Sequence, residues 1–289
     1  MTRALADDLA TRRDLWLCLA RAFAPPAGGD FHAAFTEHLP ADLGAIAEEI
    51  GLNIVADLDG FAVAARGLTN ALEMQRLYAA LFVTPPVPVF MNTGVYMDEG
   101  FLGPSEADLN SWYARHGFER HEGFKDLNDH VAVQLEFIGL LYDKAADRAL
   151  AGEHMEALAY AAEAERFIAA YPRRWITPFL QALEATCRQR GLSDTFVHLA
   201  RILWLALEQQ LAAGATQHEA EAAESFPTGS SRGMGALTAA DLAEIAYRLE
   251  RDGLSYAHVK ALPEWSEAAF DTRRAEGEAG AAPPLRGRA

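Results

Sequence analysis

The residues best suited to chemistry in this chain are Asp129, His130 and Glu136, which lie together in one short block. Side chains of these types can transfer protons or bind a cationic ligand. Asp129 and Glu136 lie on one helical face about 10 Å apart along the axis, which is long for the paired carboxylates of a retaining glycosidase. Neighbouring side chains on a helix diverge by about 100°, so Asp129 and His130 do not form a catalytic dyad by themselves.

A structural role for this block is equally open. Asp129 would then complement the dipole of the helix that begins here, and His130 would bond a neighbouring loop. Glu136 would either pair with a buried base or face a groove. The sequence leaves both the structural and the ligand-binding roles open.

Motifs of other chemistries are missing from the sequence. It contains no glycine-rich phosphate loop, no His-x-x-Glu-His, no Gly-x-Ser-x-Gly and no cysteine/histidine cluster. Cys18 and Cys187 stand in apolar helical patterns, which indicates buried, reduced thiols in a cytosolic protein. We therefore expect no enzymatic activity, no cofactor and no metal site.

The helix that carries the block is apolar nearly all round. Its apolar residues form two stripes, Val131, Leu135, Ile138 and Tyr142 on one face and Val133, Phe137, Leu140 and Leu141 on another. Two such stripes predict a helix in the middle of a bundle. Polar groups on a buried helix need partners, so Asp129, His130, Gln134 and Glu136 must be paired, capping, or directed into a groove.

Helical periodicity continues along the chain and indicates an all-α fold, a single bundle of about nine to ten helices with a C-terminal helical extension. Helices are expected near residues 4–23, 30–39, 41–50, 58–82, 105–116, 128–148, 153–170, 174–190 and 194–213. The composition changes at the end of the last one. We expect a helical domain over 1–213, a flexible linker over 214–237, and short amphipathic helices with a disordered tail, from Arg273, over 238–289.

The start of the chain resembles an export signal, because Arg12-Arg13 is followed by apolar residues. Acidic residues precede the arginines, at Asp7 and Asp8, where a signal is basic, and Arg21 interrupts the apolar run. The large apolar residues recur at helical spacing, at Leu5, Leu9, Trp16, Leu19 and Phe23. We therefore expect an amphipathic first helix.

The overall charge narrows the choice of partner. The 289 residues carry a net charge of −16, which argues against nucleic acid and anionic membranes and favours a basic ligand or peptide. No apolar run approaches the ~20 residues of a membrane-spanning helix, so we expect no membrane insertion.

The segment 83–103 is unusual because it is apolar and aromatic yet contains three prolines and three glycines, which forbid a long helix. In one interpretation it is a loop packed on the bundle. In the other, Phe90, Tyr96 and Phe101 line a groove for an apolar peptide.

Taken in order, these features resemble the TorD/DmsD/NarJ family of redox-enzyme maturation chaperones over about residues 5–212. The resemblance is carried by Arg76-Leu77-Tyr78, Leu81-Phe82, Pro86, Pro88, Tyr96, Gly103, Trp112-Tyr113, Gly117, Asp129-His130, Leu135-Glu136-Phe137, Trp175, Phe179 and the apolar helix 196–211. The chain departs from the family at Phe90-Met91-Asn92-Thr93, where members often have a Tyr/Trp-Ser pattern.

The resemblance implies a cytoplasmic, non-catalytic chaperone. The sequence itself does not decide between a monomer and a homodimer, and we expect one of the two. Its partners would be the apo catalytic subunit of a molybdopterin oxidoreductase and that subunit's twin-arginine signal peptide, with help in cofactor insertion and proofreading before export. The peptide-binding positions carried over are Leu81, Phe82, Pro86, Tyr96, Asp129, His130 and Glu136.

Two other functions remain open at this point. One is a small-molecule-binding or catalytic helical bundle that uses Asp129, His130 and Glu136 around a pocket. The other is a scaffold protein whose C-terminal extension serves as a docking helix.

Overall fold

The structure, a computed structural model, describes residues 2–27, 30–98, 100–120, 123–224, 239, 243, 246–247, 260 and 266–279. Every regular element in this part of the chain is a helix, and the β pairing found there is an isolated bridge between Asn92 and His130. The predicted all-α fold class is therefore confirmed. The chain divides into two compact units, Met1–Glu224 and Ser225–Ala289.

The first unit contains the helices that position the candidate site. They are α1 (Thr2–Phe23), α2 (Phe31–Ala33), α3 (Leu39–Ile50), α4 (Val55–Arg66), α5 (Ala71–Phe82), α6 (Thr93–Met97), α7 (Pro104–His116), α8 (Val131–Leu150), α9 (His154–Ala170), α10 (Pro172–Arg190) and α11 (Thr195–Glu224). A π-helical turn, Ala34–His38, joins α2 to α3.

Helix α8 occupies the middle of this unit, between α1 and α9. The stripe Val131, Leu135, Ile138 and Tyr142 is fully buried, as are Val133, Phe137 and Leu141 of the second stripe. On α1, the side chains of Leu9, Trp16, Leu19 and Phe23 are buried in the same core. The predicted central helix and the predicted amphipathic first helix are both confirmed.

The helix predicted over 58–82 is in fact two helices, α4 and α5. The break is stabilised by side chains that cap α5: Asn70 Oδ1 accepts from the Glu73 amide at 3.1 Å, and Glu73 Oε2 accepts from the Thr69 amide at 2.8 Å. Such reciprocal capping satisfies amides that a new helix leaves unpaired. Apolar periodicity alone could not show this break, because the pattern continues across it.

The expected break before Pro40 is absent, since the π-helical turn runs directly into α3. Pro40 lies in the first turn of α3, directly after the π-helical turn. Proline has no backbone N–H to donate, and its missing hydrogen bond falls where the helix changes from π to α geometry.

Helix α11 continues to Glu224, beyond the end predicted at residue 213. The first part of the expected linker is therefore helical, which fits its alanine, glutamine and glutamate content. The remainder of that linker, 225–237, lies outside the described residues, and the three-part domain organisation stays a prediction.

In the second unit, the described residues include helix α12 (Glu267–Ala279). It covers the beginning of the tail that was predicted to be disordered from Arg273. Phe270 is buried with Ala243 and Ala246 in a small apolar cluster. Most residues of the two short helices expected between 238 and 262 lie outside the described part of the chain.

Both cysteines are free thiols, with Cys187 buried and Cys18 partly buried. Desolvation raises the pKa of each thiol to about 11, so both stay protonated near neutral pH. Among the described helices, none combines the length and apolar content that a bilayer crossing requires.

Candidate functional site

The segment 83–103 is anchored to the start of α8 by backbone pairing. Asn92 and His130 form an antiparallel bridge. The Val131 amide donates to the Met91 carbonyl at 2.7 Å, and the Thr93 amide donates to the Asp129 carbonyl at 3.1 Å. Since these bonds fall on both sides of the bridge, the middle of the segment 83–103, at the start of α6, and the start of α8 form one junction.

The carboxylate of Asp129 lies at the centre of this junction and is fully buried. Its Oδ1 accepts from Asn92 Nδ2 at 2.9 Å, and its Oδ2 accepts from the Gly94 amide at 2.9 Å. Burial raises the pKa of Asp129, and the hydrogen bonds from Asn92 and Gly94 act against that rise. Both oxygens are thus used to hold the loop.

Gly94 is required by the tight packing around this carboxylate. A Cβ atom at position 94 would lie 2.6 Å from the Gly100 carbonyl oxygen and 3.3 Å from Asp129 Oδ2. A side chain here would push the loop away from the aspartate.

His130 caps α8 and is almost fully buried. Its Nδ1 accepts from the Ala132 amide at 3.1 Å, and its ring meets the ring of Phe124 edge-on, with centroids 5.1 Å apart. Burial lowers the pKa of His130 to about 4, partly offset by the charge of Asp126. The imidazole is therefore neutral near pH 7, with Nδ1 as the acceptor.

Gln134 completes the junction from the first turns of α8. Its Nε2 donates to Thr93 Oγ1 at 2.7 Å and to the Asp129 carbonyl at 2.6 Å, and it is fully buried. The sequence indicated that Gln134 needed a partner, but Asn92, Thr93 and Gly94 were not predicted site residues. Only their position in an apolar, glycine-containing loop could have suggested them.

The other predicted residues of the loop region differ in exposure. Leu81 is buried; Phe82 packs partly buried against Phe196, with centroids 5.1 Å apart. Tyr96 stacks on Trp175 at 5.6 Å, and its hydroxyl donates to the Phe90 carbonyl at 2.8 Å. Pro86 is exposed.

The loop also presents large apolar side chains to solvent. Leu102 is 71% exposed, Val83 56% and Phe101 51%. Phe101 is in edge-on contact with Phe90, with centroids 5.4 Å apart. Leu102 has a positive φ of 58°, a backbone conformation that is uncommon for a non-glycine residue. The sequence had indicated Phe90, Tyr96 and Phe101 as the aromatic lining of this region.

Glu136 is exposed on α8, on a different face from the buried stripes. It lines a hollow of about 560 Å³ bounded by α1 and by residues of the segment 120–125. Because Asp129 and His130 are buried and Glu136 is not, the three side chains do not line one open pocket. The seven predicted residues thus differ in location. Asp129 and His130 lie in the buried junction, and Glu136 lies in an exposed hollow. The other four, Leu81, Phe82, Pro86 and Tyr96, lie in the segment 83–103 or directly before it.

A buried junction of this kind positions a loop. Its aspartate and histidine are both committed to bonds within the chain. Within the described ranges, no three histidine, cysteine, aspartate or glutamate side chains are grouped so that they could hold a metal ion.

Comparison with known protein families finds one family model that this chain matches. Residues 36–181, slightly more than half of the chain, match the family model described as "Nitrate reductase delta subunit". Curated protein sequences give no significant match.

Among solved structures, the chain is similar to a crystal structure of a candidate redox enzyme maturation protein from Archaeoglobus fulgidus. The two share 20% sequence identity, with 68% of this chain and 93% of that chain covered and a TM-score of 0.41. The family assignment rests on the family model, whose matched residues include the loop, the Asp-His turn and α8. The chain therefore belongs to the nitrate reductase delta subunit family, the NarJ/TorD-type chaperones of redox-enzyme maturation.

Proposed function

We propose that this chain acts in the cytoplasm on the apo catalytic subunit of a molybdopterin oxidoreductase. In this proposal it binds the subunit and its twin-arginine signal peptide, assists cofactor insertion, and releases the subunit for export afterwards. Family membership supports redox-enzyme maturation, and the structure contributes a surface suited to peptide binding.

The observation that supports the proposal is an apolar loop that hydrogen bonds fix to the start of α8. Val83, Pro86, Phe101 and Leu102, which we call the loop surface, are all exposed on one segment. Single exposed apolar residues are ordinary, whereas a contiguous exposed apolar patch is typical of an interaction site. Phe101 and Leu102 are consecutive, large and at least half exposed. Because the junction at Asp129 fixes the loop before binding, little ordering entropy is lost when a peptide binds.

The predicted peptide-binding residues take different roles in this proposal. Pro86 contacts the apolar segment of the peptide. Leu81, Phe82 and Tyr96 support the loop from inside the bundle. Asp129 and His130 act by positioning the loop, since neither side chain reaches the surface.

Calorimetric titration can test this proposal. The ligand is the signal peptide of a molybdopterin oxidoreductase subunit from the same genome. Leu102→Ser removes an exposed apolar contact, and Asp129→Asn removes a charged acceptor from the junction. Met155→Ser is the control for Leu102→Ser, because Met155 is an apolar residue on α9 that is at least as accessible, 80% exposed against 71% for Leu102.

We expect Leu102→Ser to weaken binding severalfold and Met155→Ser to leave it unchanged. Asp129→Asn should weaken binding severalfold, because Asn92 and Gly94 would hold the loop less firmly without the carboxylate and more ordering entropy would be lost on binding. Circular dichroism checks that each variant is folded. If Leu102→Ser and Asp129→Asn both bind within twofold of wild type, the loop surface is not the peptide site.

A further inference from the structure

The hollow beside the end of α1 is basic, although the chain as a whole is acidic. It has a volume of about 560 Å³, within the range of about 300–1,000 Å³ that small-molecule sites occupy. Three cationic side chains line it, those of Arg21, Arg120 and Lys125, against one carboxylate, that of Glu136. Across the chain, acidic residues outnumber basic ones by 41 to 25. We call this cavity the basic hollow.

The positive charges of the two arginines are held in place without a carboxylate. Arg21 Nη2 donates to the Ala27 carbonyl at 3.3 Å, and its guanidinium lies 4.4 Å from the centre of the Phe31 ring. Arg120 Nη1 donates to two backbone carbonyls of the segment that follows it. Neither arginine forms an ion pair in the described part of the chain. Since a guanidinium has five N–H donors, each arginine keeps both its charge and donors for a ligand.

The helix ends that border the basic hollow do not decide the sign of its charge. Ala132 lies in the first turn of α8, near the positive end of a helix dipole, and Ala20 lies near the negative end of α1. The two dipoles therefore oppose each other. Asp42 lines a neighbouring hollow that also contains Arg21, but no ion pair joins them among the described residues. The charged side chains that line the basic hollow, three positive and one negative, give it a formal charge of +2.

Most of the remaining lining is apolar. Leu17 and Ala24 contribute to one wall, and Phe124 contributes an aromatic ring. Phe124 is partly buried and meets the ring of His130 edge-on, with centroids 5.1 Å apart, so packing against the junction holds this ring in place. Such a lining packs well against an apolar or aromatic group. A charge of +2 beside apolar walls therefore favours a doubly negative group attached to an apolar body.

We propose that the basic hollow binds a small molecule in which a phosphate monoester is attached to an apolar or aromatic body. A phosphate monoester carries a charge of about −1.5 to −2 near pH 7, which balances the charge of the hollow, whereas a carboxylate carries a single charge. Arg21 and Arg120 donate to the phosphate oxygens, which the paired N–H groups of arginine match in geometry. The apolar body packs on Leu17, Ala24 and Phe124. The basic hollow shares no residue with the loop surface, so this ligand is additional to the proposed peptide.

Calorimetric titration of the full-length chain with phenyl phosphate, inorganic phosphate and benzoate tests this assignment. Inorganic phosphate lacks the aromatic ring, and benzoate has the ring but a single negative charge. The variants are Arg21→Gln and Glu136→Gln, both at exposed positions, and circular dichroism checks that they are folded. Arg188→Gln and Glu49→Gln are the matched controls, because they make the same changes of net charge at exposed positions that do not line the basic hollow.

We expect phenyl phosphate to bind about fivefold more tightly than either inorganic phosphate or benzoate. Arg21→Gln should weaken the binding of phenyl phosphate about fivefold relative to Arg188→Gln, since it removes a cation that contacts the phosphate. Glu136→Gln should strengthen that binding about twofold to threefold relative to Glu49→Gln, because it removes the carboxylate that repels the ligand. Partial unfolding cannot produce a gain of affinity, so this variant reports the charge of the hollow directly.

Three results would overturn the assignment. The first is an equal loss of affinity in Arg21→Gln and Arg188→Gln, which would show that the lost charge acts only at long range. The second is an unchanged or lower affinity in Glu136→Gln. The third is equal binding of phenyl phosphate and either of the other two anions, which would show an unselective anion contact. Any of these leaves the proposed function standing, because Leu102→Ser tests the loop surface with a different ligand.

Discussion

Replacing His130 by asparagine should change how the stability of the chain depends on pH. Asparagine is a good helix N-cap, so the variant keeps an acceptor for the Ala132 amide that His130 Nδ1 now bonds. Unlike histidine, it does not titrate. The loss of the ring also removes the contact with Phe124, but that cost does not depend on pH. Any pH-dependent difference between the two proteins therefore reports the ionisation of His130.

The size of this difference follows from the pKa of His130, which burial lowers from 6.5 to about 4. Between these values the unfolded chain binds a proton at this histidine and the folded chain does not. The contribution of His130 to the unfolding free energy is therefore fully present above pH 6.5 and is lost as the pH falls towards 4. Between pH 7.5 and pH 5, wild type should lose about 2 kcal/mol of unfolding free energy relative to the asparagine variant.

Urea unfolding followed by circular dichroism at pH 7.5, 6.5, 5.5 and 5 measures this quantity in both proteins. The other eight histidines are present in both, so their contributions cancel in the comparison. A stability difference that stays constant across this range would show that the folded chain protonates His130 normally. The buried, neutral N-cap would then be the wrong description of this residue.

Glu136→Ala should change the unfolding free energy by less than about 0.5 kcal/mol, because this exposed carboxylate has no partner in the described part of the chain. A loss of several kcal/mol in urea unfolding would contradict its surface position. Gly94→Ala should lower the unfolding free energy by about 1–3 kcal/mol, because its Cβ would collide with the Gly100 carbonyl. Gly100→Ala is the matched control in the same urea assay, since a Cβ on Gly100 meets nothing within 4 Å. Limited proteolysis followed by mass spectrometry should cut first between residues 225 and 237, where the sequence is rich in serine, glycine and threonine, and a first cut within α8 to α10 would contradict the domain prediction. Elemental analysis of purified protein should find no stoichiometric zinc, iron or copper.

Much of the fold could be predicted because apolar periodicity reports burial directly. The two stripes of α8 required neighbours on both sides, and α1 and α9 provide them. The same periodicity could not show the break between α4 and α5, which depends on the capping pair Asn70 and Glu73. It also could not place the end of α11, where alanine-rich composition continues the helix after the amphipathic pattern has faded.

The site was less predictable because its bonds link distant parts of the sequence. Asp129 was recognisable as a residue that needed a partner, but its partners Asn92 and Gly94 lie 37 and 35 positions earlier in the sequence. No local pattern specifies such a contact. Glu136 was left open between a buried ion pair and a groove, and the structure places it on the surface, flanked on α8 by the buried residues Leu135 and Phe137.

The different surroundings of Asp129 and Glu136 also separate their energetic roles. A buried carboxylate with two bonded oxygens has given up its hydration in exchange for bonds within the chain, so its removal leaves unpaired donors and loosens the loop. An exposed carboxylate without a partner contributes little to the folded state and keeps its hydration until a cation arrives. Under the proposed function, Asp129 therefore affects peptide binding through the order of the loop. Conditions that weaken the loop should lower the affinity for every peptide, whereas added salt should lower it mainly for peptides that contain arginine.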